Sequence, residues 1–273
     1  MSTKTSGGKV RFCLDVVATL AAVSGCVFLF WLNWDKFFPP EPPVPGAPVS
    51  LEGATLRGDP SAPVVLIEYS DYMCPFCARF ETDVLPELAR RYIDAGRVQL
   101  AFKHHPIERL HPGATKAAEA ALCAGREGKF WEMHEALFRQ PKGLDESRLM
   151  AIARELGVND ETFGSCLEGE VSEQVRADVG EAEALGLSGT PAFLVGRRLT
   201  DGTVKVVAVV NGARPVADFE RAINRALRSP WWTKAILAGG AVTVAALWLG
   251  LRRRGSREKD GTERRRIDDE SAA

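Results

Sequence analysis

The stretch "VLIEYSDYMCPFCARF" (residues 65–80) decides how the rest of the chain is read. Its first part belongs to a near-continuous apolar, β-branched run at 62–70. That is the pattern of a central strand buried on both faces. Its last part opens a helical pattern in which Phe80, Val84, Leu85, Leu88 and Tyr92 recur at roughly helical spacing. Gly96 stops that pattern, and Pro86 inside it predicts a kink. Cys74 therefore falls at a strand-to-helix junction. Pro75 suits a first helical position. A cysteine there meets unpaired backbone N–H groups and the positive end of the helix dipole, and both favour thiolate. Cys77, one turn on, is expected to be more buried and to attack a mixed disulfide once Cys74 has formed one.

Two cysteines at this spacing can also hold a metal or form a static bridge. A structural zinc site needs four ligands. The chain has no second C-x-x-C, and His104, His105, His111 and His134 give no H-x₃₋₅-H pair in a suitable context. No metal and no cofactor is expected. A static disulfide and a redox-active pair both remain open on spacing alone.

The surrounding pattern is mixed α/β. Residues 97–107, "RVQLAFKHHPI", read as a second strand, so β-α-β opens the globular part. Residues 112–186 read as helices at 113–124, 129–139, 145–156, 160–167 and 170–185, punctuated by glycines. The period then changes. "PAFLVGRRL" and "VKVVAVVNG" read as strands joined by a turn at Asp201-Gly202. Residues 216–227 form an amphipathic closing helix with Phe219, Ile223 and Leu227 on one face.

At these residues the chain resembles DsbA-type thiol:disulfide oxidoreductases of the thioredoxin fold. "VLIEYSDYMCPFC" resembles their active-site signature, "SGTPAFLV" (residues 188–195) their cis-proline loop, and "GKFWEMHEALF" (residues 128–138) their helical insertion. The resemblance covers about residues 53–227. It implies an α/β, thioredoxin-like fold with an inserted helical block. It implies a cis Pro191 beside Cys74, with the Thr190 backbone pairing a substrate strand. It implies that Glu68 is a buried acid near Cys77, whose raised pKa lets it relay the Cys77 proton; a strand residue reaching solvent is the competing reading. It further implies a structural disulfide between Cys123 and Cys166. His134 is read as packed within the helical block, and His104 and His105 as ending a strand near the site.

The flanks bear on compartment. Residues 16–34 form an uncharged run of about 19 residues, near the ~20 needed to cross hydrocarbon. The following "NWDKFFPP" lacks a small-x-small cleavage site, which favours a retained anchor over a cleaved signal peptide. A second apolar run occupies 235–251, between Trp231, Trp232 and Lys234 on one side and Arg252, Arg253 and Arg254 on the other. Lys4, Lys9 and Arg11 precede the first run. Basic residues at both outer flanks place both termini in the cytoplasm by the positive-inside rule, with the middle of the chain on the extracytoplasmic, periplasm-like side. The expected organisation is a cytoplasmic N-terminus (1–12), a transmembrane anchor (13–34), a Pro-rich linker (35–52) and a DsbA-like thioredoxin domain (53–229) with its helical insertion at about 112–186. A second transmembrane helix (230–251) and a cytoplasmic tail (252–273) follow. Net charge of −1 gives no general electrostatic case for nucleic acid. The expected activity is disulfide formation in client proteins, with a membrane-bound redox partner. A reductase or isomerase using the same site, or a non-catalytic binding module on the same fold, are the alternatives.

Overall fold

The computed structural model describes residues 19, 23–33, 42–140 and 143–228. Five strands form one sheet in the order β1-β3-β2-β4-β5. They are β1 (Thr55–Arg57), β2 (Val64–Ser70), β3 (Val98–His104), β4 (Ala192–Arg198) and β5 (Val204–Asn211). β2 and β3 pair in parallel, and every other neighbouring pair is antiparallel. Every residue of β2 and β3 is buried, as a continuous apolar run in a sheet covered on both faces requires.

Alternation along β2 separates two cores. Val64 and Leu66 face a cluster with Phe80, Leu88, Phe193, Phe219 and Ile223. Val65, Ile67 and Tyr69 face the opposite cluster, with Ala182, Leu187 and Leu194. Phe80, Phe193 and Phe219 meet at ring-centroid distances of 4.4 to 5.3 Å. Burying each such phenylalanine contributes about 1.5–3 kcal/mol.

The helix after β2 is not continuous. α1 (Pro75–Arg79) passes into a π turn at Phe80–Val84, then α2 (Leu85–Leu88) and a second π turn at Ala89–Ile93. The predicted kink at Pro86 takes the form of this widened turn just ahead of it. The ring of Pro86 would crowd the carbonyl four residues back, and widening the turn relieves that crowding. The helical block comprises α3 (Ala114–Arg126), α4 (Phe130–Arg139), α5 (Glu146–Glu155), α6 (Asp160–Leu167) and α7 (Ser172–Ala184). α8 (Val216–Leu227) closes the chain's globular part on the Phe219 face. Cys123 of α3 and Cys166 of α6 are joined by a disulfide that spans 43 residues.

Two features depart from the sequence reading. β1 precedes the expected β-α-β unit; it is only three residues long and half exposed, too short to show a period. The Pro-rich linker (35–52), expected only to join the anchor to the domain, is partly seated on the sheet: Val49 exchanges backbone hydrogen bonds of 2.9 and 2.8 Å with Val204. Of the first apolar run, residues 23–32 are helical. Among the described residues no helix is long and apolar enough to cross a membrane. The second run, the basic tail and residues 1–12 lie outside the described residues.

Candidate active site

The β2–α1 junction places Cys74 at the helix N-cap, with extended backbone (φ −79°, ψ 122°) and Pro75 following. Its carbonyl accepts the first helical bond, from Ala78 N at 3.1 Å, and its own N–H donates to Asp71 O at 3.1 Å. Asp71 holds the junction from below. Its buried carboxylate accepts from Met73 N, from Ile107 N and meets His111 Nδ1, each at 2.8 Å. One aspartate thus ties the active-site turn to the loop after β3.

The loop before β4 arrives from the far end of the chain. The Thr190–Pro191 peptide is cis. Cys74 Sγ lies 3.5 Å from the Thr190 carbonyl oxygen, a contact across 116 residues. Cys74 is 3% exposed and Cys77 fully buried. Beside them Phe76 is 53% exposed, with the Arg79 guanidinium over its ring.

The two sulfurs are electrostatically unequal. A hydrogen bond from the Cys77 thiol, the largest influence, brings Cys74 down to about 5 against the cost of burial. Thr190 and the backbone N–H groups of Cys77 and Phe76 act in the same direction. Burial pushes the Cys77 thiol well up, and the neighbouring Cys74 sulfur adds to this. At neutral pH these influences favour thiolate at Cys74 and thiol at Cys77.

Glu68 lies on β2, four residues before the turn that carries Cys74 begins at Tyr72, and shares Ser70 as a neighbour with Cys77. It shares the β2 face of Leu66, and its cross-strand partners are Phe102 on β3 and Phe193 on β4. It is fully buried, so it does not reach solvent, and neither oxygen has a hydrogen-bond partner. Burial, then the charge of Glu81, raises its pKa well above the ordinary carboxylate value. The Ser70 hydroxyl is a polar neighbour of both Glu68 and Cys77, without a regular hydrogen bond to either. Glu81 is itself raised by burial. His134 Nε2 lies 3.1 Å from Glu81 Oε2, and Tyr72 Oη lies 3.2 Å from His134 Nδ1. Burial holds both His134 and His104 down to about 3, so each is neutral at physiological pH.

The structure therefore brings Cys74, Cys77, Thr190 and Pro191 together, with Glu68 linked to Cys77 only through their common neighbour Ser70. The Cys123–Cys166 disulfide joins two helices of the helical block and belongs to the same core cluster as Cys74 and Cys77. His104 and His105, expected to end a strand near the site, are both buried; the His104 ring packs against Tyr72 and Phe102. Sequence reasoning missed Ser70 and Glu81. Signals for both existed: Ser70 is two residues beyond Glu68 on an alternating strand, and Glu81 is four residues beyond Cys77 on a helix. No local signal links His134 to this cluster.

Comparison with known proteins agrees with this geometry. A family model described as Thioredoxin matches residues 50–211. Among curated proteins, the chain is similar to a Na(+)/H(+) antiporter NhaA 1 from Mycobacterium sp. (strain KMS), 36% identical over 189 residues. That match covers 65% of this chain and 30% of the antiporter, so the chain spans under a third of that relative's length. Among solved structures, BdbD from Bacillus subtilis matches at 27% identity and a TM-score of 0.58, covering 68% of this chain and 98% of that one. A thioredoxin-like oxidoreductase from Silicibacter pomeroyi matches at 30% identity and a TM-score of 0.54, covering 65% and 94%. Wolbachia pipientis alpha-DsbA1, at 23% identity and a TM-score of 0.58 over 70% of this chain and 96% of that one, shares the fold. With its sheet, its C-P-F-C junction and its inserted helical block, the chain belongs to the thioredoxin family and is a DsbA-like member of it.

Proposed function

We propose that the chain is a thiol:disulfide oxidoreductase that forms disulfides in client proteins, through Cys74 and Cys77, outside the cytoplasm. The observation that carries this reading is the inequality of the two sulfurs. A thiolate with a pKa of about 5 is a good leaving group and stabilises the reduced enzyme. Both effects make the disulfide form oxidising. In the forward reaction a client thiolate attacks Cys74 Sγ of the Cys74–Cys77 disulfide. The S–S bond breaks, and Cys77 leaves and takes up a proton, for which protonated Glu68 is the nearby source. A second client thiolate then attacks the client sulfur of the mixed disulfide. Cys74 departs as thiolate, the client is oxidised, and the enzyme is left as a dithiol. A membrane-bound partner would remove those two electrons.

Direction is tested by the reduction potential of the Cys74–Cys77 couple, equilibrated against glutathione. The expected value lies nearer about −120 mV than about −270 mV. A value at the lower end would make the enzyme a reductase.

The membrane reading rests on separate observations. Residues 23–32 form a helix whose large apolar residues, including Val27, Leu29 and Trp31, are 44–68% exposed. A helix apolar on every side suits lipid, not a packed surface face. Relatives carry the matching segment inside chains named Na(+)/H(+) antiporters, an activity that exists only across a membrane. We place anchors at 13–34 and 230–251 and both termini in the cytoplasm. Protease added to intact spheroplasts is then expected to remove the 53–229 domain and to spare epitope tags at both ends. Loss of the tags with the domain protected would reverse the topology. Tethering at both ends raises the effective concentration of a membrane-bound redox partner.

A further inference from the structure

The Pro-rich segment before the domain does more than separate it from an anchor. After pairing Val49 with Val204 it can be followed backwards along the open edge of β5. The bridge is antiparallel, so residues 42–45 lie at the β5 end that carries Asn211. There Pro42, Pro43 and Pro45 line a groove of about 380 Å³ together with Thr190, Pro191 and Asn211. Pro42 and Pro45 are half-buried in it. Thr190 is the residue whose carbonyl meets Cys74 Sγ. Cys74 does not itself line the groove; the groove reaches it through Thr190, which the prolines and the cysteine share as a neighbour.

Two physical consequences follow. Proline has no N–H, so this strip cannot donate to an added strand, and it shields the outer edge of β5 from strand addition. The strip and the cis-proline loop thus bound a groove that adjoins Thr190. The pyrrolidine rings there offer a rigid apolar wall, already ordered, against which client side chains can pack at low entropic cost.

We propose that Pro42, Pro43 and Pro45 are specificity-determining residues: they form the outer wall of the client groove, so the anchor's linker is part of the substrate site. The occupant is an extended cysteine-containing client segment with apolar residues beside the cysteine. This rests on the oxidoreductase reading and adds to it.

The test uses the full-length chain in detergent, oxidised at Cys74–Cys77 and in molar excess over substrate. The probe is a ten-residue dithiol peptide with leucine and phenylalanine next to its cysteines; dithiothreitol is the small dithiol. In the Pro42→Ser, Pro43→Ser, Pro45→Ser triple variant, the enzyme concentration giving half-maximal peptide oxidation is expected to rise about fivefold. The limiting rate is expected to stay within about twofold. Val49→Pro, which removes the N–H donated to Val204 and frees the strip without touching the prolines, is expected to shift half-saturation the same way. Unchanged half-saturation in both variants, with normal exchange by the parent chain, would overturn the role of the linker alone. Failure of the parent chain to oxidise even dithiothreitol would overturn the oxidoreductase reading beneath it.

Discussion

Replacing Cys74 with serine is expected to reduce disulfide exchange to the uncatalysed background, a loss on the order of 10³-fold or more. Cys74 is the sulfur beside Thr190 and the one lowered to about 5. Cys77 is fully buried and raised by that burial, so it cannot substitute as the group attacked. Cys77→Ala has a different signature. It leaves the attackable sulfur in place but removes the resolver, so mixed disulfides with clients should accumulate and be visible on non-reducing gels. It also removes the hydrogen bond that contributes most to the low Cys74 pKa. The midpoint for alkylation of Cys74 by iodoacetamide is therefore expected to move upward from about 5. A midpoint that stays put would assign the activation to the helix N-terminus instead. An absence of trapped clients in an oxidising compartment would favour a non-catalytic binding module.

Glu68→Gln is expected to have opposite effects on stability and on rate. Burial, and then Glu81, raises the Glu68 carboxyl above its ordinary value of 4.5. Above that pH the unfolded chain releases a proton that the folded chain retains. Stability from this group is complete below about pH 4.5 and is lost as pH rises through the folded pKa. Glutamine has no proton to lose. The variant should therefore match the parent near pH 4 and exceed it by roughly 1–3 kcal/mol at pH 8 in urea melts, the scale of an unsatisfied buried polar group. The rate should fall, because the Cys77 proton loses its nearby carrier. Attack of a client thiolate on the Cys74–Cys77 disulfide, in which departing Cys77 takes up a proton, is expected to slow by about tenfold or more at pH 7. A variant that is stabilised but equally fast would leave Glu68 a buried acid without a role in transfer.

The linker and the acid cluster mark the same boundary between local and tertiary information. The place of Cys74 at a helix start was legible because its cause is local: an apolar run, a turn and Pro75. Glu68 could be placed near Cys77 only by resemblance, since a strand pattern says which face a residue shares but not what covers that face. Phe102 and Phe193, from strands on either side, make its surroundings apolar. β1 was missed because Thr55–Arg57 is shorter than any readable period. The seating of Pro42–Pro45 was missed because proline composition describes backbone stiffness, not the edge it lies against.

Residues close along the chain set the order of the elements from β2 onward, the place of the two cysteines at a strand-to-helix junction and the breaking of the helix near Pro86. These depend on propensity and period within a few residues. Only the tertiary structure decided how close Thr190 comes to Cys74, how thoroughly Glu68 is desolvated, that Glu81 meets His134, and that the linker walls the groove. Each of these is a through-space effect between segments far apart in the chain. Electrostatic coupling and desolvation depend on distance and burial, and no local pattern encodes either.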